Sequence, residues 1–126
     1  MSEASKKRIL VAEDDPDIAS LLERVLGDHC DVVVVHDGPS AIARAAQPPH
    51  PQLLLLDIMM PGLDGLNVAK QIRMLPGMAS VPIIFLTARG APMDTIRGIQ
   101  AGARHYITKP FKLEEVVSKV RKVLGS

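Results

Sequence analysis

The chain has 126 residues, of which 47% are apolar and 23% charged. That is the balance of one ordinary globular domain, neither a disordered segment nor two cores. The net charge of +1 hides a split: residues 13–64 hold ten acids against Arg24 and Arg44, a net of −8, whereas residues 65–126 carry +7.

Residues 1–6 read as a loose tail and 7–126 as the folded domain. Residues 9–12 (Ile-Leu-Val-Ala) form a short apolar run bounded by charge on both sides. It is too short for a signal peptide, and no apolar run approaches the ~20 residues of a membrane span. Ile18, Leu21, Leu22, Val25 and Leu26 then recur at helical spacing, with Gly27 as a stop. Residues 31–35 contain four consecutive valines, a strand signal. Pro39 suits the first position of a helix carrying Ala41, Ile42, Ala45 and Ala46, which the Gln47-Pro48-Pro49-His50-Pro51 loop ends.

Residues 53–56 are four leucines in a row, the pattern of a strand covered on both faces. Pro61-Gly62 and Asp64-Gly65 mark a turn-rich loop, followed by a helix over about 66–74. A strand is expected over 82–86, a helix through Ile96 and Ile99 to Gly102, and a short strand over 105–107. Leu113, Val116, Val117, Val120, Val123 and Leu124 make the clearest amphipathic stripe and close the chain as a helix. Five strands alternating with five helices imply an α/β, doubly wound parallel sheet. Only Phe85, Tyr106 and Phe111 are aromatic, which argues against base-stacking on nucleic acid. The lone Cys30 fits a reducing, cytoplasmic setting. The basic residues of the second half are dispersed among acids over several helices, so no direct nucleic-acid contact by this chain is expected.

In open parallel sheets, ligands bind outside the carboxyl ends of the strands. Those ends deliver Glu13 and Asp14, then Asp57, Thr87 and Lys109. Each has an ordinary explanation alone. Asp15, before Pro16, is the best helix N-cap. Because one cap suffices, Glu13 and Asp14 are surplus. Carboxylates about 4 Å apart repel by roughly 4 kcal/mol per pair at an effective dielectric of 20. A divalent cation together with Lys109 would keep them ionised. A small set of hard oxygen donors suits Mg²⁺ better than Zn²⁺. An Asp beside such an ion, with a lysine and a hydroxyl nearby, is equipped to accept a phosphoryl group. The four histidines lack convincing metal-ligand spacing.

Four segments resemble the receiver domains of response regulators: Ile9-Leu10-Val11-Ala12-Glu13-Asp14-Asp15-Pro16, Leu56-Asp57 through Asp64-Gly65, Leu86-Thr87-Ala88 and Ile107-Thr108-Lys109-Pro110-Phe111. The resemblance covers about residues 7–124. It implies a flavodoxin-like fold with strand order 2-1-3-4-5 and a phosphoacceptor at Asp57, charged by a sensor histidine kinase or phosphotransfer protein. It also implies an Mg²⁺ site of Glu13, Asp14, Asp57 and the Met59 main-chain carbonyl, with Lys109 contacting the phosphoryl group. Thr87 and Tyr106 resemble the switch pair, and the fourth helix, fifth strand and fifth helix the signalling face. Lys109-Pro110 resembles a bond that is typically cis in the family, and Met59 and Arg89 take positions that tune phosphoryl lifetime. His105 stands where an acid is common and reads as a surface residue.

Arg97, Arg104, Lys112, Lys119 and Lys122 lie near that signalling face, either as a plain solvated surface or as a dock for an acidic partner. A phosphorylation-dependent dimer is left open. The end of the sequence one helix after Lys109 suggests a stand-alone regulator or an excised receiver acting on a downstream effector or output domain. The main alternative is a pseudo-receiver, a docking module that works without phosphorylation. A haloacid-dehalogenase-type phosphatase would want a second Asp where Met59 stands, and a flavodoxin-like cofactor binder would want a Gly-rich loop after the first strand.

Overall fold

The computed structural model describes residues 6–88 and 90–125. Its elements run β1 (Lys7–Ala12), α1 (Pro16–Gly27), β2 (Cys30–Val35), α2 (Gly38–Ala45) and β3 (Leu53–Asp57), then α3 (Gly65–Arg73), β4 (Ile83–Ala88), α4 (Met93–Gly102), β5 (His105–Lys109) and α5 (Leu113–Leu124). The five strands form one parallel sheet in the order β2-β1-β3-β4-β5. The strand order reverses at β1, so the crevice between the carboxyl ends of β1 and β3 is where a doubly wound sheet binds its ligand.

Successive residues of a strand point to opposite faces, and the core divides accordingly. Leu10, Ala12, Leu54, Leu56, Ile83 and Phe85 pack into the layer holding Ala41, Val68, Ile72 and Ile99 from α2, α3 and α4. Ile9, Val11, Leu53, Leu55, Ile84 and Leu86 pack into the other, with Leu22 and Leu26 of α1 and Val116 and Val120 of α5. The four leucines of β3 are wholly buried, each worth roughly 1.5–3 kcal/mol relative to exposure. This is why their run is continuous rather than alternating.

Local chemistry sets the ends. Asp15 Oδ1 accepts from the Asp17 and Ile18 amides at 2.9 and 3.3 Å, the expected cap. Asp37 caps α2 through Ser40 at 2.7 Å, so Gly38 opens that helix and Pro39 takes its second position. Asp64 caps α3 through Asn67 at 2.9 Å, which makes Gly65 the first helical residue instead of a turn residue. Gly125 closes α5 at φ 78, the left-handed conformation that glycine tolerates.

All five strands differ from their expected limits, β2 starting one residue earlier at Cys30 and β3 ending one later at Asp57. β1 begins at Lys7, because Lys7 and Arg8 pair with Cys30 and Asp31. β4 covers 83–88 rather than 82–86. Pro82 has no amide to give, although its carbonyl still accepts from Leu54 at 3.0 Å. β5 reaches Lys109 by pairing with Ala88. The expected tail falls on residues 1–5, outside the described residues, apart from Lys6, which has no regular structure. No helix among the described residues is long and apolar enough to cross a membrane.

Candidate functional site

The carboxyl ends of β1, β3 and β5 converge on a cleft of about 390 Å³ lined by Glu13, Asp14, Asp57, Met59, Ala88 and Lys109, among others. Each residue arrives by a short step from a rigid strand. Asp57 is the last residue of β3, held in the sheet opposite Leu86. Glu13 follows β1 directly, and its amide donates to the Val35 carbonyl at 3.0 Å. Lys109 ends β5.

The lysine bridges two buried acids. Its Nζ lies 2.9 Å from Asp57 Oδ2 and 2.8 Å from Glu13 Oε1. The other Asp57 oxygen, Oδ1, accepts from the Met59 amide at 3.1 Å, and Glu13 Oε2 accepts from the Asp15 amide at 3.1 Å. Asp57 is 3% exposed and Glu13 0%, whereas Asp14 stands exposed at the mouth.

This burial has an electrostatic cost. Desolvation pushes the Glu13 carboxyl up to about 7, against the opposing hydrogen bond from Lys109. Burial alone would lower the Lys109 ammonium, but its bonds to Glu13 and Asp57 outweigh that and raise it above the ordinary lysine value. One ammonium thus compensates two carboxylates only in part. One oxygen from each of Glu13, Asp14 and Asp57 lies within 4.8 Å of the others. Three hard donors within reach of one ion, two of them on buried acids short of positive charge, fit a divalent cation.

The two residues read as a switch pair are set apart. Thr87 is buried in β4, paired in register with Thr108, and its Oγ1 has no hydrogen-bond partner among the described residues. Tyr106 is 41% exposed and lines a separate groove between α4 and α5. His105 is half-buried rather than a plain surface residue. Burial, and then the charges of Lys119, Lys122 and Arg104, hold its pKa below the usual histidine value. The Lys109-Pro110 bond is cis. Arg89 lies outside the described residues.

Two contributors escaped the sequence. The His36 ring meets the Glu13 carbonyl at 3.1 Å through Nδ1, tying the end of β2 to the acidic turn. Gly65 runs so close to β3 that an added Cβ would sit 2.4 Å from the Asp57 carbonyl oxygen. Nothing local marks His36. For Gly65 the available signal was a glycine directly after a capping Asp, where any better helix former would otherwise serve.

The model of the family described as the response regulator receiver domain matches residues 9–121. The DNA-binding response regulator MtrA of Mycolicibacterium smegmatis is 42% identical over 92% of this chain and 50% of its own length. The transcriptional regulatory protein TrcR of Mycobacterium tuberculosis is 40% identical over 98% of this chain and 47% of its own. This chain therefore spans about half the length of the curated relatives it matches. Among solved structures, the receiver domain of the sensor histidine kinase PA1611 from Pseudomonas aeruginosa PAO1 superposes with a TM-score of 0.85 at 32% identity. That match covers 97% of this chain and 100% of the other, whose structure has a magnesium ion coordinated in the active-site cleft.

Proposed function

Because the chain belongs to the response regulator receiver domain family of two-component systems, we propose that it is a switch driven by phosphorylation of Asp57. The phosphoryl donor is a sensor histidine kinase or a phosphotransfer protein, and the setting is the cytoplasm, consistent with a free, buried Cys30. The observation that carries this reading is the Asp57 carboxylate itself. It is buried at the floor of an open cleft, with one oxygen held by a backbone amide and the other by Lys109.

The residues divide the work. Asp57 is the nucleophile, and the bonds from Met59 and Lys109 hold its carboxylate in one orientation, so little freedom is lost on reaction. Lys109 exchanges its contact with Asp57 for one with a phosphoryl oxygen and supplies positive charge where negative charge accumulates. A magnesium ion held by Glu13, Asp14 and Asp57, with the Met59 main-chain carbonyl as a further ligand, would neutralise the remaining phosphoryl oxygens. Thr87 brings a buried hydroxyl without a partner among the described residues, ready to bond a new acceptor at the strand end. Its movement would open space for the Tyr106 ring to turn inward, changing the α4-β5-α5 face presented to an effector or output domain. The chemistry is confined to the protein's own phosphorylation and dephosphorylation.

Intact-mass spectrometry after incubation with acetyl phosphate, with and without Mg²⁺, tests the reading. The expected result is a metal-dependent gain of one phosphoryl group that Asp57→Asn abolishes. Normal labelling of Asp57→Asn would overturn the assignment. Absence of uptake, together with failure to bind beryllofluoride, would instead indicate a receiver that docks without phosphorylation.

A further inference from the structure

Two strands leave the sheet side by side next to the acidic cleft. β1 and β2 run in register to a last pair, Ala12 with Val35, and the next residues are Glu13 and His36. Each exit is soon closed by a helix cap, Asp15 for α1 and Asp37 for α2. Between ladder and cap, the Glu13 amide donates to the Val35 carbonyl at 3.0 Å, and the Glu13 carbonyl accepts from His36 Nδ1 at 3.1 Å. A carbonyl oxygen can only accept, so Nδ1 carries the proton and offers no lone pair to a metal. The backbone of Glu13 is thus held by β2 on both sides.

The three carboxylates of the cleft are not held alike. Asp57 is fixed through its own oxygens by the Met59 amide and Lys109, and Glu13 by the Asp15 amide and Lys109. Asp14 stands exposed at the mouth, and the direction in which its side chain leaves depends on the peptide before it. That peptide is planar, so the Glu13 carbonyl and the Asp14 amide turn as one body. A bond that fixes the carbonyl therefore also fixes the Asp14 Cα.

We infer that His36 is a positioning residue for the divalent-cation site: by holding the Glu13–Asp14 peptide it presents the Asp14 carboxylate to the ion that Glu13 and Asp57 share. The inference rests on the proposed function, which puts Mg²⁺ there. Metal sites tolerate only about 0.5 Å of error in their ligands, and the outer partners that orient those ligands govern affinity. His36 suits that task because it sits one residue after a paired strand position and one before a cap. Its ring is exposed, so it fills no cavity, and the consequence of losing its bond falls on the turn.

Calorimetric titration of the metal-free full chain with magnesium chloride, at one pH, compares the parent with two variants. His36→Phe keeps a ring without the donor, and His36→Asn places a side-chain N–H near the position of Nδ1. The expected result is that His36→Phe binds Mg²⁺ roughly three- to tenfold more weakly while His36→Asn stays within about twofold of the parent. Phosphoryl uptake from acetyl phosphate should need correspondingly more Mg²⁺ in His36→Phe and approach the parental rate at saturation. Urea denaturation without metal should leave both variants near the parent. Parental Mg²⁺ affinity in His36→Phe would overturn the inference. So would equal weakening in His36→Asn, or a loss of stability in His36→Phe that His36→Asn shares, since the ring and not its donor would then be the cause. A parent chain that takes up no Mg²⁺ would overturn the metal centre and this inference with it. A parent that binds Mg²⁺ but gains no phosphoryl group by intact mass would overturn the function proposed above, while the titrations still decide the role of His36.

Discussion

Replacing Gly65 by alanine tests whether the start of α3 and the end of β3 are locked together behind the phosphoacceptor. The new Cβ would lie 2.4 Å from the Asp57 carbonyl oxygen and 3.0 Å from both the Asp57 carbonyl carbon and Ile58 Cα. An ordinary carbon–oxygen approach is about 3.3 Å, so strand and helix must separate by nearly 1 Å. Every obstructing atom is backbone, and no side chain can swing away. The same separation would stretch the bond from the Gly65 amide to the Ile58 carbonyl, now 2.9 Å. Overpacking costs about 1–3 kcal/mol and the weakened hydrogen bond about 1 more. Alanine's better helix propensity returns less than about 1 kcal/mol. The expected loss is therefore roughly 1–4 kcal/mol, or a melting temperature lower by about 4–16 °C in a domain of this size.

Because the displaced backbone carries Asp57, phosphoryl uptake from acetyl phosphate should slow as well. Gly27→Ala is the control. Nothing lies within 4 Å of its added Cβ, so it should be neutral or stabilise by up to about 1 kcal/mol. Urea denaturation followed by circular dichroism gives both values. A Gly65→Ala variant within 0.5 kcal/mol of the parent would show that the strand end yields freely, and the argument for a rigid seat under Asp57 would fail.

Three further outcomes follow from the site. The folded state raises the Glu13 carboxyl from 4.5 to about 7. Its contribution to stability is therefore present below pH 4.5 and lost as the pH rises through 7. Metal-free protein should weaken by roughly 1–2 kcal/mol between pH 5 and 8, allowing for water at the open cleft. Glu13→Gln should flatten that slope, and an unchanged slope would disprove the attribution. Asp14→Ala should weaken Mg²⁺ binding about tenfold or more without loss of stability, and an unaltered calorimetric titration would remove Asp14 from the ion's ligands. Asp15→Ala should do the reverse, costing about 1 kcal/mol through the lost cap while leaving Mg²⁺ affinity nearly intact; equal effects of the two substitutions would erase the division of labour within this acidic run.

Much of the fold was legible because it is written in local chemistry. Four leucines in succession can be satisfied only by a strand covered on both faces, and Leu53 and Leu55 do pack opposite to Leu54 and Leu56. Asp15 before Pro16 is a cap wherever it occurs. The convergence of Glu13, Asp14, Asp57 and Lys109 followed from one topological rule, that parallel strands present their carboxyl ends along one edge. Limits of elements were less legible where a partner strand decides them: Lys7 and Lys109 are strand residues because Cys30 and Ala88 lie beside them.

What only the tertiary structure decided are the contacts between residues distant in the chain. Lys109 and Asp57 are 52 positions apart, and no periodicity reveals that the same ammonium also reaches Glu13. His36 and Gly65 act through backbone atoms of other elements, and Tyr106 faces outward into a groove assembled from three elements. Period, cap and turn are properties of a few neighbouring residues and survive in the sequence. The distance between two strand ends, or between a helix start and the strand beneath it, depends on how every intervening layer packs. It exists only once the chain has folded.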